Sequence, residues 1–198
     1  SASSSFDRSK TDTSFRLGYM ARIAPEKGFH HLVDSFIRLA SKTKHADLTL
    51  HASGWLGESN QEYFRVQQQK LDAAELTDRF TYHGSPDLSQ KVSFLKSLDL
   101  LSVPTDYHDP KGLFVLESLA AGVPVIQPNH GAFGELLGST GGGLLTKPGC
   151  LDELCAAIEE LKQDEQQRLA LGVAGQQQVM KRHAMERAVE QLKNIMFA

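Results

Sequence analysis

The sequence predicts an α/β protein built on a doubly wound, parallel six-stranded sheet, a Rossmann-like arrangement, and three observations carry that expectation. Short apolar runs alternate with longer segments of helical periodicity along most of the chain. The connections between them are short and carry Gly, Pro, Asp, Asn or Ser. At 198 residues the chain is one domain, or one with a small appendage, and long enough for a full core. Strand–helix alternation of this kind makes right-handed crossovers with helices on both faces of the sheet.

The elements follow in order. Phe15 to Ala21 reads as a first strand. Lys27 to Thr43 is an amphipathic helix with Phe29, Leu32, Val33, Phe36, Ile37 and Ala40 on one face. Ala46 to Ala52 is a second strand, and Asn60 to Leu76 a polar, glutamine-rich helix. Phe80 to His83 is a short third strand, followed by a helix from Leu88 to Leu98. Leu100 to Val103 is a buried fourth strand, and Leu113 to Ala121 a helix with apolar positions at helical spacing. Val123 to Pro128 is a fifth strand, Gly134 to Leu137 a helical turn, and Gly143 to Thr146 a sixth strand. Two helices close the chain: Leu151 to Lys162 continuing toward Leu171, then Gly175 to Met196, with Met185, Val189, Leu192 and Met196 in one stripe. Residues 1–14 are polar and serine-rich without periodicity, so they read as a flexible linker ahead of a domain spanning 15–198.

Composition narrows the function classes. Forty per cent apolar and 23% charged residues are ordinary for a globular protein. A net charge of −3 and a pI near 6.2 leave no electrostatic footprint for nucleic acid or for an anionic membrane. No apolar run approaches a membrane-spanning length. The two cysteines, Cys150 and Cys155, read as reduced packing thiols, which points to the cytoplasm.

The chemistry concentrates in Thr105-Asp-Tyr-His-Asp-Pro-Lys-Gly-Leu-Phe-Val-Leu-Glu117 and the Ser-Leu-Ala-Ala-Gly-Val-Pro-Val-Ile126 that follows. Asp109 and Glu117 stand at either end of its loop-to-helix half, seven residues between them. Pro110 and Gly112 keep Asp109 on the approach loop. A loop entering a helix N-terminus presents unpaired amides and the positive end of the helix dipole, which suits a phosphate. Glu117, about one turn in, reaches toward the hydroxyls of whatever carries that phosphate, a pattern that describes a sugar nucleotide. If the strand order is 3-2-1-4-5-6, the loops after strands one and four meet at the crevice where ligands bind. That places the cations Arg22 and Lys27 opposite the acidic loop. Arginine offers a bidentate fork to phosphate oxygens and lysine a mobile point charge. The plainer readings are a solvated basic loop and surface carboxylates capping a helix. A hydrolase's acid and nucleophile is a third.

This segment resembles the signature of the large retaining glycosyltransferase group of GT-B fold, family 4: an acidic residue, seven others, a glutamate, then a small-residue helix ending in Gly-x-Pro-Val. Asp109 occupies a place usually filled by Glu, and Pro110 and Lys111 stand where Gly-Phe is common. Gly18-Tyr-Met-Ala-Arg-Ile-Ala-Pro-Glu-Lys-Gly28 looks like the family's diphosphate-binding loop. His83-Gly84-Ser85-Pro86 looks like its turn beneath the nucleobase. Gly131 to Glu135 and Gly141 to Pro148 resemble its next two punctuation points. The resemblance implies the nucleotide-sugar-binding lobe of a two-lobed enzyme, without the N-terminal lobe that carries the acceptor site. It implies transfer of a hexose from a nucleoside-diphosphate sugar to a hydroxyl with retention, and no activity for this lobe alone. Arg22 and Lys27 would stabilise the leaving diphosphate with amides near Lys111, Gly112 and Leu113. Asp109 would hold sugar hydroxyls, Glu117 the ribose diol, and Ser85 and Pro86 the base. The family needs no metal or other cofactor, and the absent lobe could bring such an enzyme to the inner membrane face.

Two further readings stand beside this one: a non-catalytic nucleotide-sugar-binding domain, and a lobe of a sugar-nucleotide epimerase. Of the eight histidines none shows the i, i+4 or Cys-x-x-Cys spacing of a metal site, so no metal is assigned. His108, beside Asp109, is the one to watch.

Overall fold

Six strands, Phe15–Met20 (β1), Leu48–Ser53 (β2), Phe80–Tyr82 (β3), Leu100–Ser102 (β4), Val125–Pro128 (β5) and Gly143–Thr146 (β6), form one sheet in the order β3-β2-β1-β4-β5-β6. Every neighbouring pair is parallel, with Leu17 opposite both Leu50 and Leu100 at the centre. The computed structural model describes residues 12–42 and 45–183. The helices are Phe29–Ala40 (α1), Gln61–Ala73 (α2), Leu88–Lys96 (α3), Leu113–Ala120 (α4), Phe133–Thr140 (α5), Leu151–Gln163 (α6) and Glu165–His183 (α7). The parallel six-stranded sheet is the one the alternation predicts, and its order is the one on which the meeting of the two loops depends.

Burial explains why the central strands carry no polar alternation. Leu17, Leu50, Leu100, Leu101, Val125 and Ile126 are all fully buried, as strands covered on both faces must be. Each such side chain contributes roughly 1.5–3 kcal/mol by leaving water. α1 lays Phe29, Leu32, Val33, Phe36 and Leu39 into this core and packs beside α2 and α6. Tyr19 and Phe29 meet edge to face, with centroids 4.9 Å apart, and Phe64 and Phe80 extend the cluster. On the other flank α7 packs against α4 and α5.

Several element boundaries differ from the sequence reading, each for a local reason. α1 starts at Phe29, because Pro25–Lys27 close a 3-10 turn ended by Gly28 at φ 71°. A Cβ on Gly28 would lie 1.8 Å from the Pro104 carbonyl oxygen, so this glycine lets the two loops touch. α2 stops at Ala73 because Glu75 adopts φ 57°, which ends the helix while Leu76 donates to the Leu71 carbonyl. α5 is a full helix rather than a turn. The largest correction concerns the last two helices. The break falls at Asp164, whose Oδ1 caps the Gln167 amide at 2.8 Å, and Gly172 and Gly175 lie inside α7. These glycines serve close packing: a Cβ on Gly172 would lie 2.3 Å from the Gly122 oxygen, and one on Gly175 would lie 2.7 Å from Leu119. The apolar stripe of Met185, Val189, Leu192 and Met196, the predicted helix end at Thr43 and residues 1–11 of the linker fall outside the described residues. Cys150 and Cys155 are free thiols. No helix among the described residues is long and apolar enough to cross a membrane.

Candidate functional site

The strand order makes β1 and β4 neighbours, so the loops leaving their carboxyl ends adjoin. Backbone hydrogen bonds then fix those loops. Tyr19 Oη donates to the Arg22 carbonyl at 2.8 Å, and the Ile23 amide donates to the Trp55 carbonyl at 2.9 Å. The Gly54 amide and Ser53 Oγ both donate to the Gly84 carbonyl, which sets the turn carrying Ser85 and Pro86 beside the β1 loop. The Asp106 amide donates to the Glu26 carbonyl at 3.1 Å, joining the acidic loop to the 3-10 turn.

Asp109 is buried at the centre of the acidic loop and accepts four hydrogen bonds. Oδ1 takes the amides of Lys111 and Gly112 at 3.0 and 2.8 Å. Oδ2 takes Lys27 Nζ at 3.0 Å and Tyr107 Oη at 2.8 Å. Burial by itself would raise the carboxyl's pKa. The Gly112 and Lys111 amides, then Tyr107 and Lys27, outweigh it and hold the group well below the usual carboxylate range. Lys27 is equally buried, with its ammonium also 4.4 Å from the Tyr107 ring centre. This is a charge-neutral pair in which the carboxylate is saturated. It shapes the backbone so that Gly112, at φ 57°, opens α4. The loop's far side is held by the Ala132 amide on the Asp109 carbonyl and by His130 Nε2 at 2.9 Å from the Thr105 oxygen. His108 stacks on His130, with rings 4.8 Å apart and nearly parallel.

Glu117 lies elsewhere. It borders an open cleft of about 430 Å³ together with Arg22, Ser85, Pro86, Met20, Gly54 and Lys91. Its side chain accepts from Lys91 Nζ, on the first turn of α3. A capping box fixes that turn: Asp87 accepts the Gln90 amide at 2.9 Å and Gln90 Oε1 accepts the Asp87 amide at 3.0 Å. Arg22 is half exposed and pairs across the cleft rim with Glu26 at 3.0 Å. Such exposed pairs are worth roughly 0–1 kcal/mol and exchange readily. The cleft therefore combines two loosely paired cations, a loosely paired carboxylate and a turn of backbone groups. That set can hold a ligand with both anionic and hydroxyl parts.

The family described as Glycosyl transferases group 1 matches residues 2–178. The chain belongs to this family. It is 29% identical over 161 residues to 2-deoxystreptamine glucosyltransferase of Streptomyces kanamyceticus, which covers 81% of this chain and 40% of that protein. It is also 29% identical over 146 residues to the glycogen synthase of Mycobacterium tuberculosis, covering 74% of this chain and 33% of that protein. The chain thus spans less than half the length of these relatives. Its fold is similar to that of Anabaena HepE in complex with UDP and glucose, with a TM-score of 0.83 at 22% identity over 92% of this chain and 48% of that one. It is similar as well to the C-terminal domain of a glycosyl transferase group 1 family protein, LpcC, from Francisella tularensis: TM-score 0.77, 22% identity, covering 86% of this chain and 87% of that domain.

In this member of the group 1 family, the residues singled out in the sequence divide into two sets. Arg22, Ser85, Pro86 and Glu117 line the cleft. Lys27, Asp109 and the amides of Lys111 and Gly112 form the buried cluster beneath the loop. The expectation of unpaired amides at the helix entry needs correction for these two, because the Asp109 carboxylate already occupies them. The amide of Leu113, in the first turn of α4, has no intrahelical acceptor, and its side chain is exposed. Sequence reasoning missed Lys91 and Tyr107. The Asp87-x-x-Gln90 capping signature before Lys91 is the signal that could have placed the former.

Proposed function

We propose that this chain is the donor-binding lobe of a glycosyltransferase that moves a hexose from a nucleoside-diphosphate sugar to an acceptor hydroxyl with retention. The observation that carries this reading is the cleft itself. It sets Arg22 from the β1 loop, Glu117 from α4 and the Ser85–Pro86 turn around one space at the carboxyl ends of the strands. Solved relatives of the same fold hold UDP, or UDP with glucose. In this reading Glu117 leaves Lys91 to bind the ribose diol, and Arg22 leaves Glu26 to bind the diphosphate. Ser85 and Pro86 border the base.

The reaction breaks the bond between the anomeric carbon and the diphosphate oxygen, and charge grows on that oxygen. Arg22, with Lys27 beneath the loop and the amide of Leu113 at the start of α4, stabilises the charge by preorganised electrostatics, and we propose that no metal is needed for this step. Asp109 acts through Lys27: it fixes the ammonium's position and bends the loop at Gly112. A contact from Asp109 to the sugar requires one of its four donors to be exchanged. The acceptor belongs to a second lobe that we place outside this sequence, so the fragment alone binds donor without turnover. The free thiols of Cys150 and Cys155 suit a reducing compartment, and we place the enzyme in the cytoplasm.

A thermal-shift comparison of UDP, GDP, ADP and their hexose conjugates tests the reading. A ligand of the folded state raises Tm by mass action, so one base should raise it with both its diphosphate and its sugar conjugate. No shift with any of them at millimolar concentration would contradict donor binding.

A further inference from the structure

We propose that His30, His31 and Asp106 form a binding site for a divalent transition-metal ion, separate from the donor cleft. His30 and His31 are adjacent, but Asp106 lies 75 positions after His31, so no spacing motif announces the three together. Both histidines sit on the first turn of α1, and Asp106 sits in the loop after β4, which the Asp106 amide ties to the Glu26 carbonyl. The two imidazoles address the two oxygens of one carboxylate. His31 Nε2 lies 2.7 Å from Oδ1 and His30 Nε2 lies 3.7 Å from Oδ2. All three ligand atoms lie within 4.8 Å of one another.

That geometry suits a shared ion. Ligand bonds of about 2.1 Å in a tetrahedral shell put neighbouring donor atoms about 3.4 Å apart. The two nitrogen–oxygen separations, 2.7 Å to Oδ1 and 3.7 Å to Oδ2, bracket this value, and no ligand pair is more than 4.8 Å apart, so side-chain rotations can bring all three onto one centre. The site also has the outer support that such ligands use. His30 Nδ1 lies 2.9 Å from Tyr63 Oη, a partner that fixes which ring nitrogen faces the carboxylate. Tyr63 Oη is itself held by the His30 amide at 2.9 Å. The two histidine side chains are about one-quarter exposed and Asp106 about half, so an ion can enter and keep water as its fourth ligand.

Two imidazoles and one carboxylate select ions such as Zn²⁺, Co²⁺ or Ni²⁺ over the oxygen-seeking Mg²⁺ and Ca²⁺. None of the three residues borders the cleft around Glu117. Asp106 does precede Tyr107, whose hydroxyl contacts both Lys27 and Asp109. An ion here would therefore clamp the acidic loop onto α1 from outside the buried cluster.

The test is calorimetric titration of the purified chain with Zn²⁺ alone, with visible absorption of the Co²⁺ form reporting coordination number. We expect one ion per chain, four-coordinate in the Co²⁺ spectrum. His31→Gln and Asp106→Asn should each weaken binding at least ~tenfold, and Tyr63→Phe by ~tenfold as loss of an outer partner. Cys150→Ser and His108→Gln should leave it unchanged. Circular dichroism confirms that each variant is folded, and the partial exposure of all three ligands favours this. Equal Zn²⁺ affinity in wild type, His31→Gln and Asp106→Asn would overturn the proposal, as would no binding by wild type or loss on Cys150→Ser.

Discussion

Asp109 and Glu117 stand eight positions apart in one segment, yet the structure gives them opposite surroundings. Asp109 is 7% exposed and saturated by two amides, a lysine and a tyrosine. The Glu117 side chain is 39% exposed and pairs with Lys91. The first carboxylate is occupied in building the loop, and the second is available to exchange its partner for a ligand. On the proposed function, acidic residues in one motif divide between architecture and recognition, and burial and donor count decide which does which.

The largest expected effect breaks the architectural end. Asp109→Asn keeps an acceptor for the two amides but removes the charge opposite buried Lys27. Loss of a charged hydrogen bond of roughly 1.5–3 kcal/mol should lower Tm by several degrees at neutral pH. The native pKa of Asp109 is depressed, so its contribution is full above the unfolded value near pH 4 and is lost as pH falls below that. The stability gap between wild type and Asp109→Asn should therefore close in acid, as denaturant unfolding from pH 7 down to pH 3 would show. A gap that does not change with pH would mean that the charge is immaterial. The same substitution should weaken free diphosphate and sugar conjugate alike, because Lys27 is displaced for both. An effect confined to the sugar-bearing ligand would instead put Asp109 on the sugar.

Arg22→Ala acts on the recognition side. Its exposed pair with Glu26 contributes less than about 1 kcal/mol to folding, so Tm should hold. Diphosphate affinity should drop roughly tenfold, by the worth of a charged hydrogen bond, and affinity for nucleoside without phosphate should stay the same. Added salt should shrink the difference between wild type and variant. Equal losses for nucleoside and diphosphate would remove Arg22 from the phosphate.

Lys91→Met is the smallest effect and sharpens the comparison most finely. Freeing Glu117 from its ion pair should leave stability within about 1 kcal/mol and tighten nucleoside binding only a few-fold. A tenfold loss would place Lys91 on the ligand.

The sheet was legible in the sequence because buried parallel strands and amphipathic helices write their periods directly. Glycines were read less well. Gly28, which the sequence reading puts inside the first helix, ends a turn before it, and Gly172 and Gly175 sit within α7 for packing against Gly122 and Leu119, contacts that no local pattern encodes. The site was legible by residue and less so by arrangement. Arg22 and Glu117 line one cleft and Lys27 and Asp109 meet beneath the adjoining loop, but the sequence cannot show that Asp109 satisfies two amides and the lysine. Lys91, which faces Glu117 from α3, and the convergence of His30, His31 and Asp106 are products of the three-dimensional fold, invisible to spacing alone.

The account rests most heavily on Glu117 as the exchangeable carboxylate of a nucleotide cleft. Calorimetric titration of wild type and Glu117→Gln with the preferred nucleoside and its diphosphate tests this directly. Loss of a charged hydrogen-bond acceptor to the ribose predicts about tenfold weaker binding of both ligands, with Tm unchanged because the Lys91 pair is only partly buried. Wild-type affinity of Glu117→Gln for both ligands would contradict it.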